Sequence, residues 1–231
     1  MLKKGKSYMQ DSLIQDSELH KFKQKLRDSL LKEALDSQTI SIAKGTNVYV
    51  VGDKDALVYF IESGQIKLLT FSPKGKECIF AIYGPGGIFG ELCTSERLET
   101  ATAMIDTQLK QVPYAKFLGH LGKESLLEGF VKYLAVRAIE QEQVIAGLVT
   151  MDSEQRLGKI LLQLAKSIGK SNAHGTTIYI SYKELSEMIG ITSSHIGFFM
   201  QKFCNLGLVT IRQERYVIEE QRLSNYLAQI A

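Results

Sequence analysis

Long apolar runs are missing from this 231-residue chain. No stretch approaches the roughly 18 consecutive apolar residues of a membrane-spanning helix, so no membrane partner is expected. The basic start Met1-Leu2-Lys3-Lys4-Gly5-Lys6 leads into polar residues with no apolar segment, which does not read as a secretory signal. Cysteine is scarce: Cys78, Cys93 and Cys204 stand far apart with no CxxC spacing. That excludes a disulfide framework and favours a reducing, cytoplasmic setting. Three thiols are also too few for a four-thiolate iron–sulfur cluster. Cys78 and Cys93 read instead as buried packing residues. His20 and His120 lack any partner at metal-ligand spacing. No nucleophile–base constellation and no glycine-rich phosphate loop is found. A non-enzymatic chain without metal or cofactor is therefore expected. Strong charge of one sign is absent too, the formal net charge being +3. Residues 1–35 carry eight Lys/Arg against five Asp/Glu, residues 36–151 eleven against thirteen, and residues 152–231 nine against seven. Mildly basic ends around a mildly acidic centre permit nucleic acid at one end without arguing for it alone.

What is present is 45% hydrophobic and sufficient for two modest domains. The chain is organised around a helical run at residues 124–149. Leu127, Val131, Leu134, Ala138, Gln141, Ile145 and Leu148 recur at steps of four and three, a coiled-coil seam that is apolar except at Gln141. A helix of that length spans about 39 Å at 1.5 Å per residue, too long for the core of one small domain. The spacing fits either a dimer seam or an amphipathic helix packed on its own domain.

The segments on either side differ in texture. Residues 1–35 suggest one amphipathic helix through Leu26, Leu30, Leu31 and Leu35. Residues 38–112 hold short β-rich runs, each closed by Gly, Pro or Asp, as in an antiparallel barrel or sandwich. After the long helix, Asp152 or Ser153 can cap a helix at residues 155–168, with Leu157, Ile160, Leu161, Leu164 and Ile168 as its face. Residues 169–175 read as a polar loop and residues 177–180 as a strand. Ser181 and Glu184 form a capping box, Gly190-Ile191 a turn, and Thr192-Ser193-Ser194 a second cap. Ile196, Phe199, Met200 and Phe203 form the next helical face. Val209-Thr210-Ile211 and Tyr216-Val217-Ile218, joined at Arg212 to Arg215, form a hairpin. Helix, glycine turn, helix and two-stranded wing make a winged helix-turn-helix. An αα-hairpin without a DNA role has the same spacing.

Residues 38–220 resemble the Crp/Fnr family of bacterial transcription regulators. Three features carry the resemblance in order: Gly84-Pro85-Gly86-Gly87-Ile88-Phe89-Gly90-Glu91-Leu92 in a cyclic-nucleotide-binding-like roll, the long helix, and the run from Leu185 to Val209. The resemblance implies an α+β fold with an antiparallel jelly-roll barrel, a long dimerisation helix and a C-terminal winged helix-turn-helix. Its divisions are residues 1–37, 38–121, 122–150 and 151–231. It implies a homodimeric regulator with double-stranded DNA and RNA polymerase as partners. The runner-up is an interaction protein of the same architecture with weakened or lost DNA binding.

The departures from the family are specific. Cyclic-nucleotide-binding members carry an arginine for the cyclic phosphate about ten residues after Gly-Glu-Leu. Here that region reads Glu99-Thr100-Ala101-Thr102, and a carboxylate repels phosphate. Only a different loop path would bring Arg97 in. The expected effector, if any, is therefore a small molecule other than cAMP, in a pocket of Gly90, Glu91, Leu92, Thr100, Ala101, Arg137 and Gln141. The expected DNA-contacting set is Tyr182, Thr192, Ser193, Ser194, His195, Phe198, Gln201, Lys202 and Arg212. The family's guanine-reading arginines are replaced by Ser193, Ser194 and Phe198. Residues 181–203 have no net charge, so little affinity comes from counterion release.

Overall fold

A computed structural model describes residues 18–30, 37–91, 96–173, 175–212 and 215–230. Leu31, Leu35, Leu92 and Cys93 lie outside the described residues. Residues 18–30 form α1. The roll follows as β1 (Gln38–Ile42), β2 (Asn47–Tyr49), β3 (Leu57–Ser63), β4 (Ile66–Phe71), β5 (Glu77–Tyr83), β6 (Ile88–Phe89), β7 (Thr100–Ala103) and β8 (Thr107–Pro113). A short helix, α2 (Tyr114–Lys123), then leads into the rod, α3 (Leu127–Thr150). The C-terminal unit is α4 (Ser153–Ile168), β9 (Lys170–Asn172), β10 (Gly175–Tyr179), α5 (Tyr182–Ile189), α6 (Ser193–Asn205), β11 (Val209–Arg212), β12 (Arg215–Ile218) and α7 (Glu220–Gln229).

The roll is an open pair of antiparallel four-stranded sheets, ordered β1-β8-β3-β6 and β2-β7-β4-β5, rather than a closed barrel. The near-continuous apolar run of β3 is buried on both sides, as alternation requires. Tyr59 and Ile61 face the space between the sheets with Tyr49, Ile66, Leu68, Phe89 and Leu109. Val58 and Phe60 face outward, where Phe22, Leu26 and Leu30 of α1, Phe117 and Leu121 of α2, and Phe130 and Tyr133 of α3 cover them. A bulge opposite Leu68 and Leu69 sets Ile79 and Ile82 on one face of β5. That face joins the C-terminal domain, so one core runs from Leu69, Ile79, Ile82 and Met104 into Leu161, Leu164, Leu185 and Ile189.

Local chemistry sets the C-terminal elements. Asp152 and Gln155 complete a capping box on α4, and Ser181 and Glu184 complete one on α5. Gly190, at φ 73°, ends α5 in the left-handed conformation that glycine adopts without strain. Thr192 accepts a hydrogen bond from the His195 amide and starts α6. Part of the expected 169–175 loop is β9, which pairs with β10 and extends the wing to a four-stranded sheet ordered β11-β12-β10-β9. The helix α7, absent from the expectation, packs against α4, where Leu227 reaches Gly158. Cys78 is exposed, not buried as expected, because it faces away from the Ile79 side of β5. Among the described residues no helix is long and apolar enough to cross a membrane.

Candidate nucleic-acid interface and effector region

The helix α6 buries Ile196, Met200 and Phe203 completely. Its opposite side leaves Ser194, Phe198, Gln201 and Asn205 exposed, with Ser193 and His195 on the flanks. Phe198 is 66% exposed, and its ring meets the half-buried Phe199 edge-on at 5.4 Å. The amide nitrogen of Gln201 donates to Asn205 Oδ1 at 3.1 Å. Tyr182, at the start of α5, is half-buried and stacked on Tyr216 at 6.0 Å, so it supports the helix pair more than it projects from it. Arg212 and Arg215 stand opposite each other at the end of the hairpin, and Arg215 lies 5.3 Å over the Tyr179 ring. Lys202 departs from the expected set. Its Nζ lies 2.7 Å from Glu154 on α4 and 5.9 Å over Tyr226 of α7, where it ties α6 to its own domain.

The expected pocket residues do not share one cavity. Gly90, Glu91, Thr100 and Ala101 belong to an end of the roll that Arg97 fills. Arg97 is 2% exposed; its guanidinium pairs with both oxygens of Asp55, with Glu91 at 3.1 Å and with the Leu57 carbonyl at 2.7 Å. The ring of Tyr49 lies 4.2 Å away. Burial opposes the cation, but the hydrogen bonds it donates to Asp55 and Glu91 outweigh that and raise the Arg97 pKa. Glu91 also accepts from the amides of Leu98 and Glu99 at 2.6 and 3.1 Å. Gly90 is required here: at φ 105°, a Cβ would lie 2.9 Å from the Arg97 guanidinium and 2.8 Å from the Leu57 carbonyl. The loop thus does carry Arg97 inward, yet every face of the cation is used by the chain itself. Sequence reasoning missed Asp55 as its main partner; the only signal was an acidic residue just before a β-rich run.

Beside this cluster, Glu99 accepts from the Tyr49 hydroxyl at 2.9 Å. Burial, joined by the Glu91 carboxylate, pushes Glu99 up to about 7 against the pull of Tyr49 and Arg97. Burial and the same carboxylates raise the Tyr49 phenol. Thr100 and Ala101 are buried in β7, the Thr100 hydroxyl accepting from the Val51 amide at 3.3 Å.

Arg137 and Gln141 lie elsewhere, on a cavity of about 330 Å³ between β5, α1, α3 and α4, whose lining includes none of those four. The Arg137 guanidinium stacks at 4.0 Å on Tyr83. Burial lowers its pKa to about 10, only partly countered by Glu140. Tyr133, on the same wall, exchanges hydrogen bonds with the backbone of Ile88, both at 3.1 Å. His120 is buried with its Nε2 2.8 Å from the Ser29 hydroxyl.

On α3 the inward residues are Phe130 and Tyr133, not the seam. Leu127, Val131, Leu134, Ala138, Gln141, Ile145 and Leu148 are all exposed. Among the described residues, nothing buries that stripe within the chain.

Residues 39–124 match the cyclic nucleotide-binding domain family. A CRP-like cAMP-activated global transcriptional regulator of Mycobacterium tuberculosis is 23% identical over 189 residues, covering 79% of this chain and 84% of that protein. The global nitrogen regulator of a Nostoc species is 24% identical over 185 residues, covering 77% and 83%. Among solved structures, FixK2 of Bradyrhizobium japonicum superposes with a TM-score of 0.72 at 18% identity, covering 82% of this chain and 96% of that one. A CooA variant of Carboxydothermus hydrogenoformans gives 0.68 at 22% identity, covering 83% and 88%. With a cyclic nucleotide-binding domain ahead of a rod helix and a winged helix-turn-helix, the chain is similar over about four fifths of its length to CRP-like transcriptional regulators.

Proposed function

We propose that this protein is a DNA-binding transcription regulator that works as a homodimer and does not depend on cAMP. The observation that carries the reading is the outward side of α6. Its core side is fully buried, its other side is open, and two arginines stand at the tip of the adjoining wing. In a winged helix-turn-helix that placement suits base contact by the helix and phosphate contact by the wing. The exposed stripe on α3 supports pairing with a second copy. Leu127 is 50%, Val131 58% and Ile145 63% exposed, an apolar row too regular for scattered surface residues. A second copy along α3 fixes the distance between two recognition helices. RNA polymerase is the further protein partner that this reading implies.

Independence from cAMP rests on the roll. An anionic phosphate would meet Glu99 where a cation is needed, and Arg97 is already neutralised by Asp55 and Glu91. An effector of other chemistry would sit against Arg137 and Gln141, whose cavity is at the small end of ligand sites. Mobility shifts with genomic DNA fragments at low and moderate salt test the main reading. Selected fragments should contain two half-sites about one or two helical turns apart. No shift at low salt would favour an interaction protein with lost DNA binding. In thermal melting, a rise of several degrees with cAMP would refute the argument from Glu99 and Arg97.

A further inference from the structure

The recognition helix is unusual in which charges it lacks. On a helical projection Ser194, Phe198, Gln201 and Asn205 fall within about 60° of one another, and all four are exposed. Ser193 and His195 lie about 100° to either side of Ser194. No cation belongs to this stripe. Lys202 is drawn about 80° round the helix to Glu154 and Tyr226, and Lys183 on α5 pairs with Glu187 at 3.4 Å. Bidentate hydrogen bonding to guanine O6 and N7 needs an arginine or lysine, and among the described residues none stands on this stripe to supply it.

What the stripe offers is different. Phe198 presents an open ring held edge-on by Phe199, which is itself anchored in the core. Gln201 donates one amide hydrogen to Asn205, and the other hydrogen and the carbonyl oxygen of this exposed side chain are available to a base edge. One donor and one acceptor on a single amide match adenine N7 and N6, and an apolar ring matches the methyl group of thymine. From Ser194 to Gln201 the helix advances about 10 Å, close to three base-pair steps. The single ring flanked by Ser194, Gln201 and Asn205 is a poor start for protein docking, which requires contiguous apolar surface.

We propose that α6 selects A·T base pairs, with Phe198 against a thymine methyl and Gln201 on an adenine, while the wing arginines supply sequence-independent phosphate contact. This rests on the DNA-binding reading above and names the sequence class it reads. The test is selection of the full-length protein on a randomised duplex library, followed by affinity measurement on the selected half-site. Each thymine of that half-site is replaced in turn by deoxyuridine, which removes only the methyl group. The expected result is a half-site with A·T pairs at the central positions. One deoxyuridine should weaken wild-type binding about three- to tenfold, the range for loss of one buried methyl contact. The same replacement should leave Phe198→Ala unaffected. Guanine at those positions, tolerance of deoxyuridine throughout, or an equal penalty in Phe198→Ala would each overturn the inference while leaving DNA binding standing. Enrichment of no sequence at low salt would overturn both.

Discussion

Replacing Glu99 by Gln probes the end of the roll where a phosphate-binding cation is missing. In the folded chain the Glu99 carboxyl is raised from 4.5 to about 7, first by burial and then by the Glu91 carboxylate. A carboxyl raised on folding stabilises the fold fully when protonated. That contribution is complete below about pH 4.5 and is lost as the pH climbs to about 7. At roughly 1.4 kcal/mol per pH unit, the full gap corresponds to about 3 kcal/mol. Part of the side chain meets water, so about 1–3 kcal/mol is the expected range. Glutamine stays neutral at every pH and can still accept from the Tyr49 hydroxyl. Urea unfolding of both proteins at intervals from pH 4.5 to 8 measures the difference directly. The two should coincide near pH 4.5, and Glu99→Gln should be the more stable by about 1–3 kcal/mol at pH 8. If the difference is flat across that range, the carboxyl does not titrate there and the account of a proton kept on Glu99 by burial and the neighbouring Glu91 is wrong.

Removing Arg97 should be more severe. Arg97→Met strands Asp55 and Glu91 and should cost about 3–5 kcal/mol in urea melts, with Asp55→Asn in the same chain restoring part. At the domain junction, burial and the Glu77 carboxylate raise Glu187, whose second oxygen has no hydrogen-bond partner. Glu187→Gln should therefore stabilise the chain at pH 8 and change little at pH 5, again by urea unfolding. Arg212→Ala should reduce the slope of DNA affinity against salt by about 1, whereas Lys202→Ala, engaged with Glu154, should leave that slope unchanged. Gln141→Leu should tighten self-association in sedimentation experiments, since one polar seam position sets register at a cost in stability; unchanged association and unchanged DNA affinity would dispose of any special role for it.

Legibility followed locality. The starts of α4, α5 and α6 were readable because each is set by a side chain three residues from the amide it caps, as Asp152, Ser181 and Thr192 show. The glycine turn at Gly190 is local in the same way. Features that depend on distant partners were not readable. Arg97 meets Asp55 across 42 residues, and neither the spacing nor the composition of the intervening strands announces it. Helix α7 follows the N-cap Glu219, which makes no side-chain cap, and has only Leu223 and Leu227 buried, too sparse a pattern to declare itself. The outward position of Cys78 depends on which face of β5 meets the C-terminal domain.

The seam on α3 combines both cases. Its periodicity was visible, but the competing inward face was carried by two aromatic residues, Phe130 and Tyr133, that the heptad count passed over. Those rings fill the side of the helix that meets α1 and the roll, and among the described residues the aliphatic stripe is left exposed. Apolar residues on two faces give a helix with one face satisfied internally and one left open. That is the division of labour expected of a rod that must hold a sensor domain on one side and a second protomer on the other. Gln141 lies where the two roles adjoin, exposed on the stripe and also at the edge of the Arg137 cavity. In the proposed dimer, an effector bound against Arg137 would therefore act on the spacing of the two recognition helices through the same turn of α3, with no need for a longer path.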